Sequence, residues 1–186
     1  DSVGVFQFGS AGMMQYLREF KPINFKELYQ VNALWRPGTL RSGLASEFIL
    51  LKNGEKKPNY ISTATKKILE ETHGIVLFQE QVMYMLNRLG DVPWRTTDII
   101  RKVVSKSEGQ EKFETFRQIF LEGVRRLNSM TEDEANKVFS LMKYFGSYGF
   151  NKSHSVEYTV LGYWTMWMKV HHPIEFYCAS LQRADD

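Results

Sequence analysis

Apolar residues recur at three- and four-residue intervals through most of this chain, the spacing of helix faces. Met13, Met14, Leu17 and Phe20 follow Ser10, whose hydroxyl suits an N-cap, and Pro22 stops the run. Asn24 with Glu27 three residues on reads as a capping box for a helix over 25–35, which Arg36-Pro37-Gly38 ends in a rigid turn. A short helix is predicted over 44–51, a polar loop over 52–58, and a helix over 63–72 closed by Gly74. The apolar run 75–78 fits either a short strand or a buried turn. Helices follow over 79–89, ending at Gly90; from Thr96 or Thr97 to about 105; and over 110–127, with Phe113, Phe116, Phe120 and Val124 at core spacing. Thr131 with Glu134 is a second capping box, opening a helix to Tyr144. After a glycine loop, 155–171 is helical, and Pro173 starts a last helix through Leu181. No repeat, heptad seam or linker interrupts the pattern. The fold class is mainly α, an irregular multi-helix domain with at most one or two very short strands.

Composition narrows the class. The chain has 186 residues, 43% hydrophobic and 24% charged, enough for a real core and too apolar for disorder. A net charge of +3 permits an anionic partner without demanding one. Cys178 is the sole cysteine, so a disulfide framework is excluded and a reducing, cytoplasmic compartment is expected. There is no signal peptide and no apolar run of spanning length. The chain starts without methionine and reads as a piece of something larger.

The richest stretch is Gly146-Ser147-Tyr148-Gly149-Phe150-Asn151-Lys152-Ser153-His154. Glycines let backbone N–H groups approach a ligand, a helix start attracts phosphate, and Lys152 and His154 add charge and donors. Gly146 to Ser153 departs from a Walker A pattern only where Asn151 replaces glycine. A P-loop follows a strand, however, and 138–145 has helical periodicity. A helix corner with a solvated lysine stays open as the bland reading. A second basic element carries Arg95, Arg101, Lys102 and Lys106. Ile99, Ile100, Val103 and Val104 share its docking face, and the cations fall on the two rims. Such rims suit a triphosphate or a polyanion, or simply solvent.

Three weaker signals remain. Trp35-Arg36 could stack on a base or anchor a turn. Gln79-Glu80-Gln81 could read base edges or cap a helix. Tyr158, Tyr163, Trp164, Met166, Trp167 and Met168 crowd one helix, which is the habit of a core. The opposite side, with His154, Tyr158, Gly162, Thr165 and Lys169, could face a ligand, Gly162 allowing close approach. No Asp-x-Asp pair, zinc-spaced ligand set or Ser/His/Asp arrangement is present. The residues alone describe a helical anion-binding module without chemistry of its own.

Together these segments resemble the C-family of bacterial replicative polymerases, the DNA polymerase III α subunits. Val3 to Met13 is similar to the family's GVFQ-x-x-S-x-GM opening, and Leu34 to Gly38 to its aromatic-RPGP turn. Gly74 to Met83 matches YG-apolar-YQEQVM, Asp98 to Lys106 matches DLLRRAMGK, and Tyr148 to His154 with Tyr158 matches YGFNKSHA and its following tyrosine. Four places depart from the pattern. Lys102 replaces arginine, losing a forked phosphate contact; Ser105 replaces glycine; Thr39 replaces proline; Ser155-Val156-Glu157 replaces alanines.

The resemblance implies one fingers domain over 1–186, binding the incoming dNTP and shaping the nascent base-pair pocket. It implies that Arg101, Lys102 and Lys106 meet phosphates. Asn151, Lys152, Ser153 and His154 would line the nucleotide site, with Arg36, Gln81 and Tyr158 nearby. The catalytic aspartates and their Mg²⁺ would lie in a palm outside this sequence, as would the sliding-clamp contact, so this chain alone is expected not to polymerise DNA. Primer–template DNA, dNTP and the rest of the polymerase are the implied partners. A non-enzymatic single-stranded DNA-binding module and an unusual NTPase are the rival readings.

Overall fold

A computed structural model describes residues 1–104, 109–145 and 149–183. The described residues are mainly α-helical, as the sequence pattern predicts. The one β feature among them is an isolated parallel bridge between Phe78 and Phe150. The chain forms two compact units: Asp1–Arg36 with Ser153–Asp186, and Pro37–Lys152.

The first unit holds α1 (Ala11–Phe20), α2 (Phe25–Leu34), α11 (Lys152–His171) from Ser153 onward, and α12 (Pro173–Leu181). Ser10 caps α1, accepting from Met13 N–H at 3.3 Å, and the helix stops at Lys21 in a left-handed conformation before Pro22. Asn24 caps α2 by accepting from Glu27 N–H at 2.9 Å, and Glu27 reaches back to Ile23 N–H at 2.9 Å. Trp35 packs on Tyr16 with ring centroids 5.2 Å apart, and a Cβ on Gly12 would lie 2.7 Å from it. The tryptophan is therefore an anchor.

In α11 the expected polarity is inverted. Ser155, Thr159 and Gly162, at i, i+4 and i+7, are its buried residues. Ser155 donates to Tyr29 O at 2.6 Å, and Asn32 lies 3.5 Å from Ser155 O and Thr159 Oγ1. A Cβ on Gly162 would meet Phe8 at 2.5 Å and Phe6 O at 2.9 Å. Lys169 donates to Val3 O at 2.8 Å. The less apolar side is thus closed by the N-terminal segment. Tyr163, Trp164, Trp167 and Met168 are 53%, 61%, 45% and 39% exposed, so the expected aromatic core lies on the surface. Small residues let backbones approach, and that contact decides which side turns in.

The second unit holds α3 (Pro37–Arg41), α4 (Leu44–Lys52), α5 (Thr63–Leu69) with a 3₁₀ turn (Glu70–Thr72), α6 (Gln79–Gly90), α7 (Trp94–Val104), α8 (Gly109–Glu114), α9 (Arg117–Leu127) and α10 (Glu132–Phe145). Pro37 begins a short helix where a simple turn was expected, its fixed φ suiting a first helical position. Ser62 and Thr65 form a capping box on α5. His73 and Gly74, at φ 54° and 88°, close the 3₁₀ turn into the buried run Ile75–Phe78. This resolves the strand-or-turn choice as a buried extended segment with a single bridge.

α6 ends at Gly90, as predicted; Asp91, at φ 50°, is its C-cap, and Arg126 holds that carboxylate at 2.6 Å. Gly90 is also a helix crossing: a Cβ on Gly123 of α9 would fall 1.6 Å from its carbonyl oxygen. The expected helix over 110–127 breaks at Thr115 and Phe116, where i→i+3 bonds replace the α ladder. The break lets Phe113 stack on Phe139 at 4.6 Å while Phe120 meets the same ring at 5.8 Å. α10 has its predicted box: Thr131 N–H donates to Glu134 at 2.9 Å, and Glu134 N–H to Thr131 Oγ1 at 3.3 Å.

Candidate functional site

Within the second unit the predicted site elements gather at the first turn of α6. Phe78 is fully buried in front of it. The segment leaving the glycine loop is tied there on both sides of the bridge. Gln79 N–H donates to Phe150 O at 2.9 Å, and Phe150 N–H donates to Leu77 O at 3.1 Å. Gly149 is pressed close, since an added Cβ would lie 3.1 Å from Gln79 Cγ.

Each residue of Gln79-Glu80-Gln81 has its own task. Gln79 donates to Gly149 O at 3.0 Å and accepts from Arg101 Nη1 at 3.1 Å, joining the loop to α7. Glu80 accepts from Lys152 N–H at 3.0 Å through both oxygens, placing a carboxylate at the N-terminus of α11. Gln81 is 6% exposed. Its Oε1 accepts from Leu77 and Phe78 N–H at 2.8 and 2.9 Å, and its Nε2 donates to Thr72 Oγ1 at 2.7 Å. Of the two readings of these amides, the Gln81 side chain takes the capping one.

The cations here have internal partners. Lys152 Nζ lies 2.7 and 2.8 Å from the two Glu71 oxygens and 5.6 Å from the Phe78 ring centroid. Arg101 forks onto Asp98 through Nε at 3.1 Å and Nη2 at 2.9 Å, and Lys102 takes the other Asp98 oxygen at 2.8 Å. Hydrogen bonds from Lys102 and then Arg101 hold the Asp98 carboxyl below the usual carboxylate range. On α7, Thr97 and Ile100 are fully buried while Ile99 is half exposed, so the docking face is rotated from the predicted one. α7 also begins at Trp94, earlier than predicted, because Pro93 O accepts from Thr96 and Thr97 N–H. Lys106 and residues 146–148 lie outside the described residues.

The remaining site candidates fall at the loop exit and in the first unit. Asn151 and Ser153 are exposed. His154 packs on Tyr158 with centroids 4.0 Å apart, and Tyr158 on Phe6 at 5.4 Å. Arg36 donates to Ala33 O at 2.9 Å, and burial depresses its proton affinity. Sequence reasoning missed Glu71 and Glu80 as counter-charges. They lie 81 and 72 residues from Lys152 along the chain, so no local pattern marks them. Among the described residues no three of His, Cys, Asp and Glu come together as metal ligands, and no helix is long and apolar enough to cross a membrane.

Arg101, through its guanidinium, and Lys152, through its backbone N–H, both hydrogen-bond the first turn of α6, while the two charged groups rest on the Asp98 and Glu71 carboxylates.

Residues 1–128 match the family model for the bacterial DNA polymerase III alpha subunit finger domain. The DNA polymerase III subunit alpha of Buchnera aphidicola subsp. Schizaphis graminum is 37% identical over 186 residues. The proteins of the same name from Escherichia coli K12 and Vibrio cholerae serotype O1 are 36% and 37% identical over 186 and 185 residues. Each alignment covers 97% of this chain but 16% of the relative, so the chain spans about one sixth of their length. The chain belongs to the bacterial DNA polymerase III alpha subunit finger-domain family.

Proposed function

We propose that this chain acts as the fingers of a DNA-directed DNA polymerase working in the cytoplasm, holding the triphosphate of the incoming dNTP and helping to shape the nascent base-pair pocket. The observation that carries the reading is that the Arg101 guanidinium and the Lys152 backbone are both tied to the first turn of α6, in a chain that matches the family along 97% of its length. In nucleotidyl transfer the primer 3′-hydroxyl attacks the α-phosphorus, the bond to the bridging oxygen breaks, and pyrophosphate leaves. Negative charge builds on the departing β- and γ-phosphates, and fixed cations lower the barrier by meeting it there. Arg101, Lys102 and Lys152 supply such cations, with Lys106 joining them by family position. Asn151 lines the nucleotide on the same ground. Gln81 serves the site by fixing the turn that carries Gln79 and Glu80. The magnesium that this chemistry needs is assigned to the palm of the whole polymerase, and the clamp contact to a further region of it.

Titration of the 186-residue chain with a dNTP tests the reading. Lys152→Ala and Arg101→Ala each weaken binding by about tenfold, the worth of one hydrogen bond to a charged group. The melting temperature stays within a few degrees, because both side chains are partly exposed. A large loss of stability with unchanged binding assigns both residues to the scaffold and refutes the proposal.

A further inference from the structure

The surface of the second unit formed by α5, α6 and the start of α7 carries features that the triphosphate site leaves unused. Tyr84 and Trp94 are 40% and 49% exposed, and their rings meet edge-on, centroids 5.6 Å apart at 88°. The Arg88 guanidinium, one turn after Tyr84, lies 4.7 Å from the Tyr84 ring centroid. Arg88 also lines a cavity of about 530 Å³ with Ser62, Thr63, Lys67, Ser129 and Glu134. One residue thus connects an exposed aromatic step to a hydroxyl-rich basic hollow.

The charges on this surface differ from the paired cations elsewhere in the second unit. Arg101 and Lys102 share Asp98, Arg117 and Lys143 share Glu114, Arg126 takes Asp91, and Lys152 takes Glu71. Among the described residues, Lys67, Arg88 and Arg95 have no carboxylate within ion-pair distance. The acid in the hollow, Glu134, is committed to its cap, accepting from Thr131 N–H and Oγ1, both at 2.9 Å. Exposed aromatic side chains beside cations that lack an ion-pair partner suit a strand whose bases are unpaired: bases stack on rings and phosphates meet the cations. A duplex buries its base faces and can use only the charges.

We propose that this surface binds single-stranded DNA, with a base stacked on Trp94 and the backbone running past Arg88 into the hollow beside Lys67. The site lies apart from the residues assigned to the triphosphate, so it stands or falls independently of them.

Fluorescence anisotropy of a labelled oligothymidylate of about twelve nucleotides, within the usual site size, tests this on the whole chain. Binding is expected at low salt and falls steeply as salt rises. Trp94→Ala weakens it about tenfold, the loss of one stacked base, and Trp94→Phe restores most of that loss. The double variant Lys67→Ala with Arg88→Ala lowers the slope of log affinity against log salt by about 1.4, two contacts at roughly 0.7 each for a single strand. Triphosphate binding by Trp94→Ala stays at the wild-type level. Duplex of equal length bound as tightly as the single strand overturns the proposal. So does absence of oligonucleotide binding at low salt, or wild-type affinity in both the Trp94→Ala and the double variant. The charge variants lie on exposed side chains, so they decide the matter even where Trp94→Ala fails to fold.

Discussion

Replacing Glu71 by glutamine removes the carboxylate that, on the proposed function, a triphosphate would displace from Lys152. The ammonium sits 2.7 Å from one Glu71 oxygen, and the two side chains are 33% and 27% exposed. Bare attraction at that distance amounts to several kcal/mol even in a partly screened setting. Water and the entropy of holding two side chains reduce the net worth of such a pair to about 1 kcal/mol. Relieving a competitor of that size tightens nucleotide binding by about fivefold. The assay is calorimetric titration of the chain with a dNTP, alongside a thermal melt. Glu71→Gln binds about fivefold more tightly and loses less than about 1 kcal/mol of stability. In a Lys152→Ala background the same substitution has no further effect, because the interaction it modifies is gone. Unchanged or weaker binding by Glu71→Gln, or a gain that persists without Lys152, refutes the exchange argument.

Two further outcomes are expected. Gln81→Ala leaves the N–H groups of Leu77 and Phe78 without their buried acceptor; it destabilises the chain by about 2–4 kcal/mol in denaturant melts, several times more than Arg101→Ala. Asp98 and Glu114 are held below the usual carboxylate range, Asp98 first by the Lys102 hydrogen bond and Glu114 first by that of Lys143. Their contribution is therefore complete above the unfolded carboxylate range, near pH 4, and is lost as pH falls through their lowered folded values. Unfolding midpoints drop between neutral and acid pH, and Asp98→Asn with Glu114→Gln flattens that drop; a drop as steep as the wild type removes these pairs as its cause.

Local chemistry was legible in the sequence. The caps at Ser10, Asn24 and Thr131 appear where predicted because each is a bond between residues three apart. The class of fold followed from the same periodicity, and the motif segments pointed to the family. What failed depended on distant partners. α6 does end at Gly90, but the second reason for that glycine is distant, since Gly123 requires its bare backbone while Asp91 provides the left-handed cap. The break before Arg117 is set by Phe139 receiving two rings, which the spacing of Phe113 and Phe120 does not disclose. The aromatic residues of α11 read as core by composition, but Ser155, Thr159 and Gly162 won the inward side by permitting closer approach. At the candidate site the cations and the glycine loop were visible. Their internal counter-charges were not, since nothing near Lys152 in sequence points to Glu71 or Glu80.

The contact of Gly90 with Gly123 leaves no side chain between the two backbones to act as a bearing surface. Sliding or rolling of α6 is blocked at that end, so a movement of the helix has to pivot there. Gln79 lies eleven residues away at the other end, roughly 16 Å along the axis at 1.5 Å per residue. A tilt of about ten degrees would therefore sweep Gln79 and Glu80 through about 3 Å, the scale of one hydrogen bond. A slight rotation about that pair of glycines would be enough to make or break the bonds from α6 to the Arg101 side chain and the Lys152 backbone.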